Sequence, residues 1–262
     1  YIGTCNETSL RVILQGAYEE ASGCMRNDIN TAGNLPLAQP YNMAPWNYEG
    51  IESVPAFADS IVDWIIVELR DEDDAGKLID QRAALLSENG IVLDTDFSEE
   101  LRFETSAGNY YLVVKHRNHI PVMSGNPVSL PNTTYPYDFT EVVITQPYLH
   151  NDPLPVVLEL LPEGSGKYGI ISGDVNSDGT LKYTGPDNDR GNIINLIQML
   201  SGEYTISGSV TGYHPEDVNL NNTILYTGSG NDRGSIISNL QKLNGTLLIS
   251  STYNSVVPEI AE

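Results

Sequence analysis

Basic residues are scarce in this chain: 13 Lys and Arg stand against 35 Asp and Glu in 262 residues, for a formal net charge of −22. Phosphate binding needs clustered cations, so nucleic acid is excluded as a partner and docking on anionic membranes is disfavoured. No apolar run reaches the ~18–20 residues that span a bilayer, so no membrane insertion is expected. HExxH, GxSxG, glycine-rich phosphate loops and Cys/His zinc spacings are all missing, and the expectation is a protein that is not an enzyme. Cysteine is limited to Cys5 and Cys24. The pair is expected to form one disulfide pinning the amino-terminal tail to the first loop, worth roughly 3 kcal/mol in the chain-entropy picture. Two free buried thiols are the alternative. The sequence opens on Tyr1 and shows no signal peptide, which reads as a mature or trimmed protein.

What is present is a globular composition, 40% hydrophobic, in which Tyr is common at 15 and Phe rare at 4. From Ser9 to about Leu160, short runs of β-branched and apolar residues alternate with Asp, Asn, Gly and Pro clusters. "LRVILQG" (Leu10–Gly16), "IVDWIIVELRD" (Ile61–Asp71) and "YDFTEVVITQPY" (Tyr137–Tyr148) read as strands. Arg102–His119 reads as a hairpin bending near Ala107–Asn109, and Asp71–Lys77 as an acidic turn between strands. Asp28–Gly33 or Val54–Asp59 could form single helical turns. The predicted fold is mainly β: an antiparallel β-sandwich over residues 1–163. After the composition break "LPEGSGKYG" (Leu161–Gly169), a small domain is predicted over 164–245 and an extended tail over 246–262.

That small domain is a tandem duplication. "GDVNSDGTLKYTGPDNDRGNIINLI" (Gly173–Ile197) and "EDVNLNNTILYTGSGNDRGSIISNL" (Glu216–Leu240) align without gaps at an offset of 43 residues. Asp174, Asn176 and Asp178 alternate, so a curled loop can point three oxygen donors inward, with Gly179 at the sharp turn and Thr180 offering its carbonyl. The second copy carries Asp217, Asn219, Asn221 and Thr223, with Asn222 in place of the glycine, a residue that tolerates the left-handed region. The closing carboxylate is identified by comparing copies: Asp187 meets Gly230, whereas Asp189 meets Asp232. Asp189 and Asp232 are therefore the expected closing ligands, each opening a segment with helical spacing, where an acidic residue suits both the helix dipole and a metal. Two Ca²⁺ sites are predicted. The first should bind more tightly because it has three carboxylates where the second has two.

This loop-and-helix pair resembles a dockerin-type tandem calcium module, which shares the "DVNxDG" opening but closes on an earlier carboxylate. The "DVN…KYTG…NDR" form, with "VILQGAY", "DWIIVELRD", "GNYYLVVKHRNHIPVM" and "YGIISGDVN" upstream, is similar to modules in secreted, multidomain cell-surface proteins of Bacteroidota. The resemblance covers most of Ser9 to Val257 and implies an extracellular accessory or structural role. "DSI" (Asp59–Ile61) resembles the O-glycan acceptor of that group, which makes Ser60 a possible glycosylation site. Asn-linked acceptor patterns also occur at Asn6, Asn132, Asn221 and Asn244.

"KHRNH" offers His116 and His119, which on one strand would face opposite sides. The reading is that His116 packs at a strand end while Asn118 and His119 satisfy backbone groups. The expected function is a non-catalytic calcium-binding structural or adhesive protein, secreted or on the cell surface. Its terminal segments could add as strands to copies of itself or to another surface protein, building a fibre. One alternative is an accessory region that attaches or spaces a secreted hydrolase. Another is a carbohydrate-binding module stacking sugars on Trp46, Trp64, Tyr110 or Tyr111.

Overall fold

Strands dominate wherever Val, Ile, Leu and Tyr alternate or run together, and the two thirteen-residue helices appear where the apolar spacing turns to 3.6 residues. The structure is a computed structural model that describes residues 6–132, 137–141, 157–159, 166–202, 204–244, 249–255 and 257–260. Across these the protein is mainly β, 34% strand against 14% helix.

The described residues open with β1 (Asn6–Thr8), β2 (Leu10–Arg11), β3 (Tyr18–Glu19), β4 (Cys24–Met25) and the single-turn α1 (Asp28–Thr31). The long pair β5 (Ile61–Asp71) and β6 (Leu78–Ser87) follows, then β7 (Val92–Leu93), β8 (Leu101–Phe103), β9 (Gly108–His116), β10 (His119–Met123), β11 (Val128–Leu130) and β12 (Tyr137–Asp138). The rest comprises β13 (Val157–Glu159), β14 (Tyr168–Ile170), β15 (Thr180–Lys182), α2 (Asp189–Ser201), β16 (Ser209–Thr211), β17 (Thr223–Leu225), α3 (Asp232–Asn244) and β18 (Thr252–Asn254).

One six-stranded antiparallel sheet in the order β10-β9-β5-β6-β7, with β11 also on β9, organises the first part. Around it, among the described residues, lie two-stranded ribbons: β1 on β8, β3 on β4, β13 on β14, and a parallel pair, β12 on β2. Strand β5 is buried from Ile61 to Arg70, because β6 and β9 flank it and both its faces are covered. The turn-rich segment before it lies against Trp64: Trp64 Nε1 donates to Pro36 O at 2.8 Å, and Tyr41 Oη donates to Trp64 O at 2.6 Å.

Several expectations are corrected here. Of the bend assigned to Ala107–Asn109, Ala107 lies in the connection from β8 while Gly108 and Asn109 open β9; the hairpin turns at Arg117–Asn118, where the register places His116 opposite His119. The strand expected over Leu10–Gly16 is short, only Leu10–Arg11, and Asp138 ends the described part of the strand expected to reach Tyr148. Short parts of the two terminal segments form strands within this chain, β1 on β8 and β18 on β15. Cys24 carries a free thiol whose Sγ lies 3.3 Å from Asn89 Oδ1, while Cys5, its expected disulfide partner, lies outside the described residues.

Two apolar cores meet along a shared wall. Ile170 packs into the larger one, built on the sheet, and the adjacent Ile171 into the smaller one with Ile193, Ile197, Ile236 and Leu240 of the two helices. Successive residues of a strand point to opposite sides, so one short segment closes both cores. Ile120 of β10 also enters the smaller core, and Leu220 of the second repeat enters the larger. The break at 161–169 is therefore followed at once by residues that bind the two parts together.

Candidate metal centre

Each recurrent residue of the duplicated motif has a structural task, and both copies perform it alike. Asp174 Oδ1 and Oδ2 accept from the backbone N–H groups of Asp178 (3.1 Å) and Gly179 (3.0 Å). Asp217 does the same for Asn221 (3.1 Å) and Asn222 (2.8 Å). The loop thus curls around its first carboxylate. Gly179 and Asn222 sit at φ +75° and +64°, where asparagine replaces glycine at modest cost. Asp178 Oδ1 and Asn221 Oδ1 accept from Thr180 N and Thr223 N, both at 2.8 Å.

Asp189 and Asp232 open the two helices, and their carboxylates are fully buried. Asp189 accepts from Val175 N (2.8 Å) and Lys182 N (2.7 Å), and Asp232 from Val218 N and Leu225 N (both 2.8 Å). Each closes its loop from the far side, across the strand that follows it. Asn188 is the N-cap of α2, accepting from Gly191 N at 2.9 Å, and Asn231 accepts likewise from Gly234 N at 2.8 Å. Arg190 lies over the Tyr183 ring and Arg233 over Tyr226, both at 4.9 Å, which explains the recurrence of Tyr and Arg seven residues apart.

The rival position also finds an explanation. Asp187 and Gly230 share a left-handed backbone, φ +52° and +70°. Their carbonyls accept from the side chains of Asn176 (3.3 Å) and Asn219 (2.8 Å). Their common contribution is a backbone oxygen, so the side chain is free to differ. Sequence comparison rejected Asp187 as the closing ligand but had no means of finding the carbonyl.

The predicted donors of each copy are thus brought around one loop: Asp174, Asn176, Asp178, Thr180 and Asp189 in the first, Asp217, Asn219, Asn221, Thr223 and Asp232 in the second. Among the described residues no three His, Cys, Asp or Glu side chains are gathered closely enough to hold a metal by themselves. The predicted donor set is instead mixed, carboxylate with amide and backbone oxygen, a combination that would suit a hard cation. The electrostatics point the same way. Burial, then the neighbouring Asp189 and Asp178, hold Asp174 well above the usual carboxylate range. Burial pushes Asp189 and Asp232 up to about 7. Among the described residues no ion pair engages any of these carboxylates. Asp217 differs: burial raises it too, but the Arg117 guanidinium counteracts part of the shift.

Arg117 belongs to a buried polar hub between the sheet and the second loop. Its Nε and Nη2 donate to Asp63 Oδ2 at 3.1 and 3.0 Å, its Nη1 donates to His214 O, and its guanidinium lies 4.4 Å over the Tyr213 ring. Asp63 Oδ1 accepts from Tyr213 Oη and Trp64 N, both at 2.7 Å. Burial would raise Asp63, but Arg117, His116 and Tyr213 outweigh it and hold the carboxyl at about 2. Asn118 Nδ2 donates to Pro215 O (2.9 Å) and Asp217 O (2.8 Å). The hairpin turn therefore grips the backbone on which the second loop begins.

Because His116 and His119 close a two-residue turn, their rings meet, Nδ1 to Nδ1 at 2.9 Å, instead of facing apart as expected of one strand. His119 Nε2 accepts from Gly16 N at 3.2 Å, so its proton sits on Nδ1, and His116 donates from Nε2 to Asp63 Oδ2 at 3.1 Å. Gly16 is required here: a Cβ would stand 2.2 Å from Val218 O. Every nitrogen of these two rings is engaged and buried, and together they bracket the hairpin turn between Asp63 and Gly16.

Burial holds His116 below the ordinary histidine range against the pull of Asp63, and burial, His116 and Arg117 hold His119 lower still. The unfolded chain, with pKa near 6.5, therefore takes up protons that the folded protein refuses. The contribution is complete above about pH 6.5 and is lost as pH falls below it. With calcium saturating, the urea midpoint is expected to fall measurably between about pH 7.5 and pH 5. A midpoint constant across that range removes this role.

Of the remaining predicted residues, Ser60 sits half-buried in the turn before β5, beside an exposed Asp59. The amides of Asn132 and Asn221 are engaged internally. Trp64 is fully buried and cannot stack a sugar, while Trp46 packs edge-on against Tyr41 at 5.3 Å.

No protein-family model, curated protein or solved structure matches this chain. The class it falls in is therefore defined by its own structure, a mainly β protein carrying a duplicated loop–strand–helix unit.

Proposed function

We propose that the chain is a non-catalytic, calcium-steadied structural module of a secreted or cell-surface protein, with a β-sandwich-like body and a dockerin-like tandem of calcium loops. The observation that carries this reading is the pair of equivalent cradles. In each, a buried first carboxylate and a buried closing carboxylate face one loop beside amide side chains, and among the described residues neither forms an ion pair, though Arg117 lies near enough to act on Asp217. Asp174, Asn176, Asp178, the Thr180 carbonyl and Asp189 would hold one Ca²⁺; Asp217, Asn219, Asn221, the Thr223 carbonyl and Asp232 would hold the other. A divalent ion offsets the repulsion that burial leaves between like charges.

The first site should be the tighter one. It has one more carboxylate, and the second already receives part of its positive charge from Arg117. Calorimetric titration is expected to resolve two binding events. Asp178→Asn should weaken the tighter event by at least tenfold and leave the other in place, and Asp217→Asn should do the reverse. Binding unchanged in both variants overturns the assignment, and titration without heat or signal change overturns the calcium reading.

A further inference from the structure

The two repeats are not packed as separate units; they exchange strands. Each unit runs loop strand, helix, trailing strand: β15, α2, β16 in the first and β17, α3, β18 in the second. Strands β16 and β18 are counterparts, 43 residues apart like the loops themselves (Ser209 to Thr252). Neither pairs with the loop strand of its own unit. β16 pairs with β17 of the second unit, and β18 pairs with β15 of the first. The motif threonines follow the same rule: Thr227 Oγ1 donates to Ile206 O and Thr184 Oγ1 to Ile249 O, both at 2.9 Å, each reaching the segment that trails the other unit's helix. A trailing strand is thus built to dock on a loop strand that is not its own.

What holds β18 in place is small. The pairs are Thr180 with Asn254, Leu181 with Tyr253 and Lys182 with Thr252, and of these three β18 side chains only Tyr253 is buried. Ser255 N adds a bond to Gly179 O at 2.6 Å, and beyond it Pro258 O accepts from the buried Arg70. We infer that β15 is an acceptor edge for β18 of a second copy of this chain, which would make the same contacts there as the chain's own strand does. The contacts described for β18 would be the same on a neighbour's β15, so concentration decides which is filled. Mutual repulsion at a net charge of −22 opposes the exchange, so salt or divalent cations promote it. The inference rests on strand topology and stands whether or not the loops hold calcium.

Two single-cysteine chains test it, both in a Cys5→Ser/Cys24→Ser background: one carries Thr180→Cys and the other, with a size tag, Asn254→Cys. Neither can close a disulfide within itself. The two are mixed at raised concentration, unfolded and refolded together, oxidised, and the bridges mapped by mass spectrometry, with calcium and with EGTA. The expected result is a covalent pair joining 180 to 254, several-fold more abundant than 180–180 or 254–254 bridges. Only monomer, or like-with-like bridges in equal amount, overturns the exchange. The doubly substituted chain, Thr180→Cys/Asn254→Cys, checks that the register itself permits a bridge. If it closes internally while the mixture stays monomeric, the strand serves its own chain alone.

Discussion

Calcium removal is expected to lower the melting temperature by roughly 10–20 °C. A ligand at a hundredfold excess over its dissociation constant stabilises a fold by about 2.7 kcal/mol, so two filled loops contribute about twice that. In a chain of this size each kcal/mol moves the midpoint by about 2–4 °C. The effect is large because the apo loops keep buried carboxylates facing one another: Asp174 feels both Asp189 and Asp178, and Asp232 feels Asp217. Melting followed by circular dichroism at the helix band should show the shift on α2 and α3, which begin at the closing aspartates. EGTA with excess magnesium is the control, since magnesium demands a near-ideal octahedron and keeps its waters, whereas calcium accepts a mixed oxygen set on a flexible loop. Identical melts with and without calcium would end the proposal that these loops are metal sites.

The second large effect lies away from the loops. Asp63→Ala is expected to destabilise the protein by about 3–5 kcal/mol, because it strands a buried arginine without its partner. Arg117 is only 5% exposed, and two of its donors end on Asp63. His116 and Tyr213 lose their acceptor at the same time. Replacing both charges, Asp63→Leu with Arg117→Met, should recover much of the loss, since an apolar pair has no unpaired charge to bury. Urea unfolding of the two variants measures this. Equal destabilisation by both would mean that the hub acts through its shape and not its charge.

The hub shows why part of this protein escaped a sequence reading. Asp63 stands inside "IVDWIIV" (Ile61–Val67), an otherwise apolar stretch of a central strand, and a carboxylate there is a signal that something charged must meet it. What meets it is Arg117, 54 residues on, and Tyr213, 150 residues on. "KHRNH" was visible too, but its meaning depended on the turn at Arg117–Asn118, which sets His116 against His119. Without that turn the two rings would face opposite sides of a strand. The loops were far more legible. Their donors lie within a few residues of one another, and a second copy acts as an internal control on which side chains matter.

By itself the sequence determined what is local: the duplication, the donor alternation, the left-handed positions at Gly179 and Asn222, the Asp that opens each helix, and the β character of the first part. These follow from period, spacing and backbone preference over a dozen residues or so. Only the tertiary structure decided which strand pairs with which. Three-residue strands such as β15 and β18 carry too few side chains to specify a partner, so the choice falls to the packing of α2 and α3 in a common core. The same holds for the polar hub, whose members are drawn from both parts of the chain. A buried charge is tolerable only where the whole fold delivers its partner.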